Sequence, residues 1–302
     1  MVLGANIVPH DDSPLYSPGV PPIMRNGVFD TSDGEKVGVI GINDMRKTMG
    51  SSQPDKGTII LDEIETTKAQ VESLTAMGVN KIIVVTHIGF KHDQEWIAAL
   101  DDVDVVVGSH SHSLLGNDET WPVATPQGSY ATVIEKPDGS KCCIVQAWEY
   151  SKAIGNLEID FDDRGNVVSC GGSPIFPFNP DRVMVRDTDP WFDMSAEDAA
   201  IVIASLAERT GGQARAFAQD PDAVADLEDY SLQLDELTQE VVGFVSEFIG
   251  ADGAGFERGA CDLVAQAFLL HPLSTADVAI QNRGGCSGSI EAVSSFRCIT
   301  LH

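Results

Sequence analysis

Three histidines stand where two apolar runs end. Thr86-His87-Ile88-Gly89 follows the run KIIVVT, and Gly108-Ser109-His110-Ser111-His112 follows VDVVVG. Neutral imidazoles are good ligands for zinc, manganese or iron, and loops at strand ends let several converge on one ion. A single histidine in that position is more often a satisfied surface residue. Two such sites, one of them a His-x-His between small residues, reverse that reading, so His87, His110 and His112 are the candidate metal ligands. His10, His92, His271 and His302 have no comparable setting and receive no role. A second candidate is the stretch Asn282-Arg283-Gly284-Gly285-Cys286-Ser287-Gly288. Its glycines would let backbone N–H groups approach an anion. As a bare pattern it is a turn.

The elements that must position these groups alternate. Lys36–Ile42 (KVGVIGI) is a strand, and Asp62–Met77 has helical apolar spacing with Gly78 as its stop. Lys81–Thr86 reads as a buried parallel strand, followed by a short helix around Gln94–Leu100 and the buried strand Val103–Gly108. Strand, helix, strand in this order is an α/β layered domain, whose ligand sites lie at the carboxyl ends of its strands. Ala131–Glu135 and Lys141–Ala147 flank the hairpin turn Pro137-Asp138-Gly139, and Leu157–Phe161 pairs with Asn166–Val168 across Asp162–Gly165. Leu3–Val8 is expected as one short strand and residues 9–34 as loop. The proline-rich run Ser173–Pro190 is the candidate domain edge. Beyond it, Ser195 caps a helix to Arg209, with Asp198 at its third position. Residues 220–240 read as an acidic helix, Glu240–Phe248 as strand-like, Ala260–Leu270 as a helix and Val278–Gln281 as a last strand.

Composition bounds the partners. The chain has 302 residues, 43% hydrophobic and 22% charged, as a globular protein does. Its formal charge is −27, from 46 acidic against 19 basic residues, which argues against a nucleic-acid partner held by Lys and Arg contacts. The plain meaning of the acidity is a solvated surface; a chain that draws divalent cations is the functional one. Cys142, Cys143, Cys170, Cys261, Cys286 and Cys298 contain no CxxC pair, so no zinc ribbon is expected. Cys142 and Cys143 read as small buried residues on a strand. No signal peptide and no bilayer-length apolar run is visible.

The stretch KIIVVTHIGFKHDQEWIAALDDVDVVVGSHSH resembles the second half of the calcineurin-like metallophosphoesterase domain of 5′-nucleotidases, in which THxG and GHSH motifs end two strands. Gly4-Ala5-Asn6-Ile7 resembles the strand after that domain's Asn-His motif, and Asp93 and Asp104 match the family's spacing. The resemblance covers residues 3–170. It implies an α/β, layered β-sandwich phosphoesterase domain at 1–175 with N-terminal strands missing, a linker with a helix at 176–230, and part of a second α/β domain at 231–302. It implies two divalent metal ions, zinc or manganese, with His87 and His110 on one and His112 on the other. It implies attack by a metal-activated water on the phosphorus of a nucleotide. Asn282, Gly284 and Gly285 match the family's nucleotide-binding loop, while Ser287 stands where the family has arginine.

The family's DxH motif, bridging aspartate and Asn-His motif fall upstream of Gly4-Ala5-Asn6 and do not occur here, so no catalytic residue is assigned. The expectation is a chain short of the family at both ends, from a phosphoric ester hydrolase whose full-length form is periplasmic, secreted or at the cell surface. The alternative is a non-catalytic metal- or nucleotide-binding relative on the same scaffold. An acidic scaffold with incidental histidines is the plainest alternative.

Overall fold

The computed structural model describes residues 2–16, 22–117, 121–181, 183–185, 192–238, 241–244, 265–267, 269–270 and 295–297. The chain divides into two units, Met1–Ala218 and Gln219–His302.

The first unit is built on a six-stranded mixed sheet. Its strands are β1 (Asn26–Asp30), β2 (Lys36–Asn43), β3 (Ile82–His87), β4 (Val105–Val107), β5 (Thr132–Glu135) and β6 (Lys141–Val145), in the order β1-β2-β3-β4-β6-β5. The inner four are parallel and the two outer strands antiparallel. Register brings Gly41, Val85, Val107 and Val145 into one row and pairs Asn43 with His87. Loops leaving these strands therefore start from one level, as a shared site requires.

One face of the sheet is covered by α1 (Glu63–Ala76). Asp62 caps it, accepting from Glu65 N at 2.9 Å, and acidic Glu63 and Glu65 suit the positive end of the helix dipole. The helix ends at Gly78, whose φ of +79° is a conformation few other residues adopt readily. Val71 and Leu74 from α1 join Ile40, Ile82, Val84 and Val79 in the core. Full burial of such side chains contributes about 1.5–3 kcal/mol each. The opposite face is less covered: Val85 is 42% exposed and Val107 37%. Both strands read as buried on two sides, but an apolar run cannot itself say what packs on each face.

A second sheet holds β7 (Ile154–Phe161), β8 (Val167–Phe178) and β9 (Ala214–Ala216). At the β7–β8 turn, Asp162 Oδ1 accepts from Arg164 N at 2.9 Å and Asn166 N at 2.8 Å. β8 runs on through Pro174 and Pro177 of the proline-rich run, pairing parallel with β9. The α2 helix (Ala196–Arg209) begins at Ser195, whose hydroxyl accepts from Asp198 N at 3.1 Å. A disulfide joins Cys143 on β6 to Cys170 on β8, with Cα atoms 6.2 Å apart, so one of the two adjacent cysteines expected as plain buried residues is a cross-link between sheets. Cys142, facing the other way, remains a free buried thiol, consistent with strand alternation.

Three local expectations change. Leu3–Val8 is two short strands, Val2–Leu3 and Ile7–Val8, and not one. Between them Asn6 is fully buried: its side chain donates to Asn43 O at 2.7 Å and Leu61 O at 3.1 Å, and accepts from Asn43 N at 3.0 Å. The chain must turn to make those bonds. Within the expected loop 9–34 lie Ile23–Met24 and β1, an edge strand whose Val28 and Phe29 are exposed and so give no alternating signal. The helix expected around Gln94–Leu100 starts earlier, at Phe90–His92, and widens into a π-turn over Asp93–Ile97.

In the second unit, α3 (Pro221–Thr238) precedes strand Val241–Phe244, which pairs antiparallel with Ser295–Arg297. Residues 265–267 and 269–270 are helical. The strand expected at Val278–Gln281 lies outside the described residues, as does the loop with Asn282, Gly284 and Gly285. No described helix is long and apolar enough to cross a membrane.

Candidate metal centre

β3 ends in His87, and the loop after β4 carries His110 and His112. His87 is fixed by Ser109. The Ser109 hydroxyl donates to Thr86 O at 2.7 Å and lies 2.9 Å from His87 Nδ1. A hydroxyl has one proton, and the carbonyl can only accept it. Nδ1 of His87 must then be the donor to Ser109, which leaves the lone pair on Nε2. That Nε2 lies 3.3 Å from His110 Nδ1, with the rings edge to face at 5.0 Å. Burial chiefly, and then the nearby His110, lowers the His87 pKa, against a smaller opposing effect of Asp44. The imidazole is thus kept in the neutral form that binds metal.

The loop bearing the other two histidines is held from behind. Gln146, nearly fully buried just past β6, donates to Ser109 O at 2.9 Å and accepts from Ser111 Oγ at 3.1 Å and from Ser113 N. Ser111 Oγ accepts from Phe90 N at 3.0 Å, tying the loop after β3 to the loop after β4. His110 and His112 have φ of +75° and +53°, conformations that non-glycine residues occupy only when their surroundings enforce them. Beneath the loop, Asp93 is completely buried. Its Oδ1 accepts from Thr86 Oγ1 at 2.5 Å, its Oδ2 has no partner, and burial pushes its pKa up to about 7. Gly108 suits this position, because a Cβ would run against that second oxygen.

His112 stands apart from the pair: its Nδ1 is 3.2 Å from Glu149 Oε2. The structure thus brings His87 and His110 together and gives His112 a different partner. Two nitrogens bound to one tetrahedral zinc at about 2.0–2.1 Å lie about 3.4 Å apart. The 3.3 Å separation of the first pair suits a common ion. The pair fits as part of a coordination shell. Among the described residues, no group of three or more His, Cys, Asp or Glu side chains is placed to hold a metal ion. The sequence motifs pointed to the histidines but not to Ser109, Gln146 or Glu149. Gln146 carried a signal, as a lone amide ending the run KCCIV.

A mixed sheet backed by helices, with histidine-bearing loops at the carboxyl ends of adjacent parallel strands, defines an open α/β ligand site. The chain is similar to proteins named 5′-nucleotidase, as its motifs implied. It is 28% identical to the NAD 5′-nucleotidase of Haemophilus influenzae over 96% of its length and 49% of that protein's. It is 38% identical to human 5′-nucleotidase over 141 residues, covering 47% of this chain and 24% of the human protein. In structure it is similar to Haemophilus influenzae NAD nucleotidase, with a TM-score of 0.70 at 26% identity over 89% of this chain and 49% of the other. It is also similar to a 5′-nucleotidase precursor of Thermus thermophilus, with a TM-score of 0.59 at 26% identity over 97% and 50%. The chain spans about half the length of these bacterial relatives. No family model matches the sequence.

Proposed function

We propose that this chain carries part of the metal centre of a nucleotide phosphoester hydrolase. The observation that carries the reading is the convergence of His87 Nε2 and His110 Nδ1 at 3.3 Å on adjacent strand ends, in a chain similar to proteins named 5′-nucleotidase. Divalent metal, when bound, supplies Lewis acidity and lowers the pKa of water, which suits hydrolysis of a phosphate ester. The chain's own contribution is positional. Ser109 sets the His87 tautomer, Gln146 and Ser111 hold the histidine loop, and that loop also carries His112. Asn282, Gly284 and Gly285, which lie outside the described residues, are proposed to contact the nucleotide. The substrate class is nucleotides; the names of the relatives support it.

A second reading is a binding protein without catalysis. It is favoured by the sequence at Ser287, which stands where the family's nucleotide-binding loop has arginine. Metal content of the purified chain, measured beside phosphate release from AMP with added zinc or manganese, separates the two. The hydrolase reading expects near-stoichiometric metal and phosphate release that is abolished by His110→Ala. Bound metal without phosphate release supports the binding reading. No metal and no phosphate release overturn the hydrolase reading for this chain and leave nucleotide binding without catalysis.

A further inference from the structure

Glu149 lies on the segment after β6, outside both loops that bear the candidate ligands. Its side chain is 23% exposed and engages two neighbours at once. Oε2 is 3.2 Å from His112 Nδ1, and Oε1 accepts from Lys152 Nζ at 2.6 Å. The Lys152 ammonium also sits over the Trp148 ring at 4.9 Å, and the Tyr150 ring meets His112 edge to face at 5.1 Å. His112, Trp148, Tyr150 and Ser151 all have positive φ, at +53°, +61°, +47° and +57°. Two segments far apart in sequence are thus both bent into conformations that disfavour side chains. The bend of each brings an imidazole and a carboxylate face to face.

An ionised carboxylate can only accept. The His112 nitrogen facing it must therefore carry the proton, and the lone pair falls on the other nitrogen. Ser109 imposes the same choice on His87 by a different group, so a histidine at the end of β3 and one on the loop after β4 are both held at Nδ1. We propose that Glu149 is a positioning residue that fixes His112 as the Nδ1–H tautomer and presents its Nε2 as a ligand for a divalent cation. Carboxylate partners of this kind orient metal-binding imidazoles and raise their basicity. The ligand half of this inference rests on the metal reading above; the tautomer half does not.

The test uses histidine ring nitrogens labelled with ¹⁵N, read by NMR in the metal-free protein at about pH 8, where imidazoles are neutral. Comparison with His112→Ala assigns the resonances. The expected result is an Nδ1–H tautomer for His112 in the unsubstituted chain and in Glu149→Gln, whose amide oxygen can still accept. In Glu149→Ala the Nε2–H form should appear, with the His87 tautomer unchanged. Zinc affinity, measured against a competing chelator, should fall about 10–100-fold in Glu149→Ala. An Nε2–H tautomer in the unsubstituted chain, or no change of tautomer in Glu149→Ala, overturns the inference. A changed tautomer with unchanged zinc affinity overturns its ligand half. Failure of the unsubstituted chain to bind zinc sinks the metal reading and that ligand half, while the tautomer comparison still decides the Glu149 contact.

Discussion

Breaking the Cys143–Cys170 cross-link by replacing both residues with alanine should cost the first unit a calculable amount. The bridge closes a loop of sequence separation 27 between β6 and β8. The chain-entropy relation gives about 12 cal/mol/K for that loop, or about 3.5 kcal/mol at 25 °C. Each kcal/mol shifts the melting temperature of a unit of this size by about 2–4 °C, so the variant should melt about 7–14 °C lower. The loss of Cys143 from the cluster with Tyr130, Val145 and Val167 adds a packing cost of its own. Reductant separates the two contributions, because it removes the bond and leaves both sulfurs in place. Thermal unfolding of the unsubstituted chain should therefore drop with dithiothreitol, and that of the double variant should not. Non-reducing peptide mapping must show a peptide pair joined through Cys143 and Cys170. Free thiols at both positions, or a melting temperature indifferent to reductant, would refute the cross-link and the stabilisation assigned to it.

Two further perturbations test the groups under the histidine loop and sheet. Asp93 and Asp104 are both pushed up to about 7, chiefly by burial. The folded state then binds more protons than the unfolded one between about pH 4 and 7, so stability is greatest below that window and is lost as pH rises through it. A shift of about three units corresponds to about 4 kcal/mol per group. Urea unfolding should show a less stable chain at pH 8 than at pH 5. Asp104→Asn, which can still accept from Ile82 N, should reduce that difference by about half; an unchanged difference would contradict the burial argument. Gly108→Ala places a Cβ against Asp93 Oδ2 and should cost about 1–3 kcal/mol by overpacking. Equal denaturation midpoints for this variant and the unsubstituted chain would show that the loop yields freely.

The parts legible in sequence are those governed by local chemistry. Asp62 and Ser195 announce helix starts because a short oxygen-bearing side chain can satisfy an exposed N–H there, and both do so. The runs KIIVVT and VDVVVG announce strands, and the histidines after them a site, because parallel strands place their ends together. What was not legible depends on distant neighbours. Glu149 reads as an ordinary exposed acid until the fold sets it opposite His112, from a different loop. Cys143 reads like Cys142, since adjacent strand residues differ only in the face they take, and Cys170 on β8 decides between them. Asn6 falls within a stretch read as one strand, and nothing local says that its amide ties the first residues to the end of β2.

The acidity of the chain bears directly on the proposed chemistry. A formal charge of −27 opposes the approach of a phosphate ester. Screening limits that opposition to charges within about 8 Å at physiological salt. What decides binding is then the local set of charges. At the histidine loops, His87 is kept uncharged by burial, and the Lys152 ammonium is neutralised by Glu149. Neutral imidazoles offer lone pairs, which repel an anion and attract a cation. On the proposed metal reading, an anionic substrate is favoured only after a divalent ion has reversed the local field.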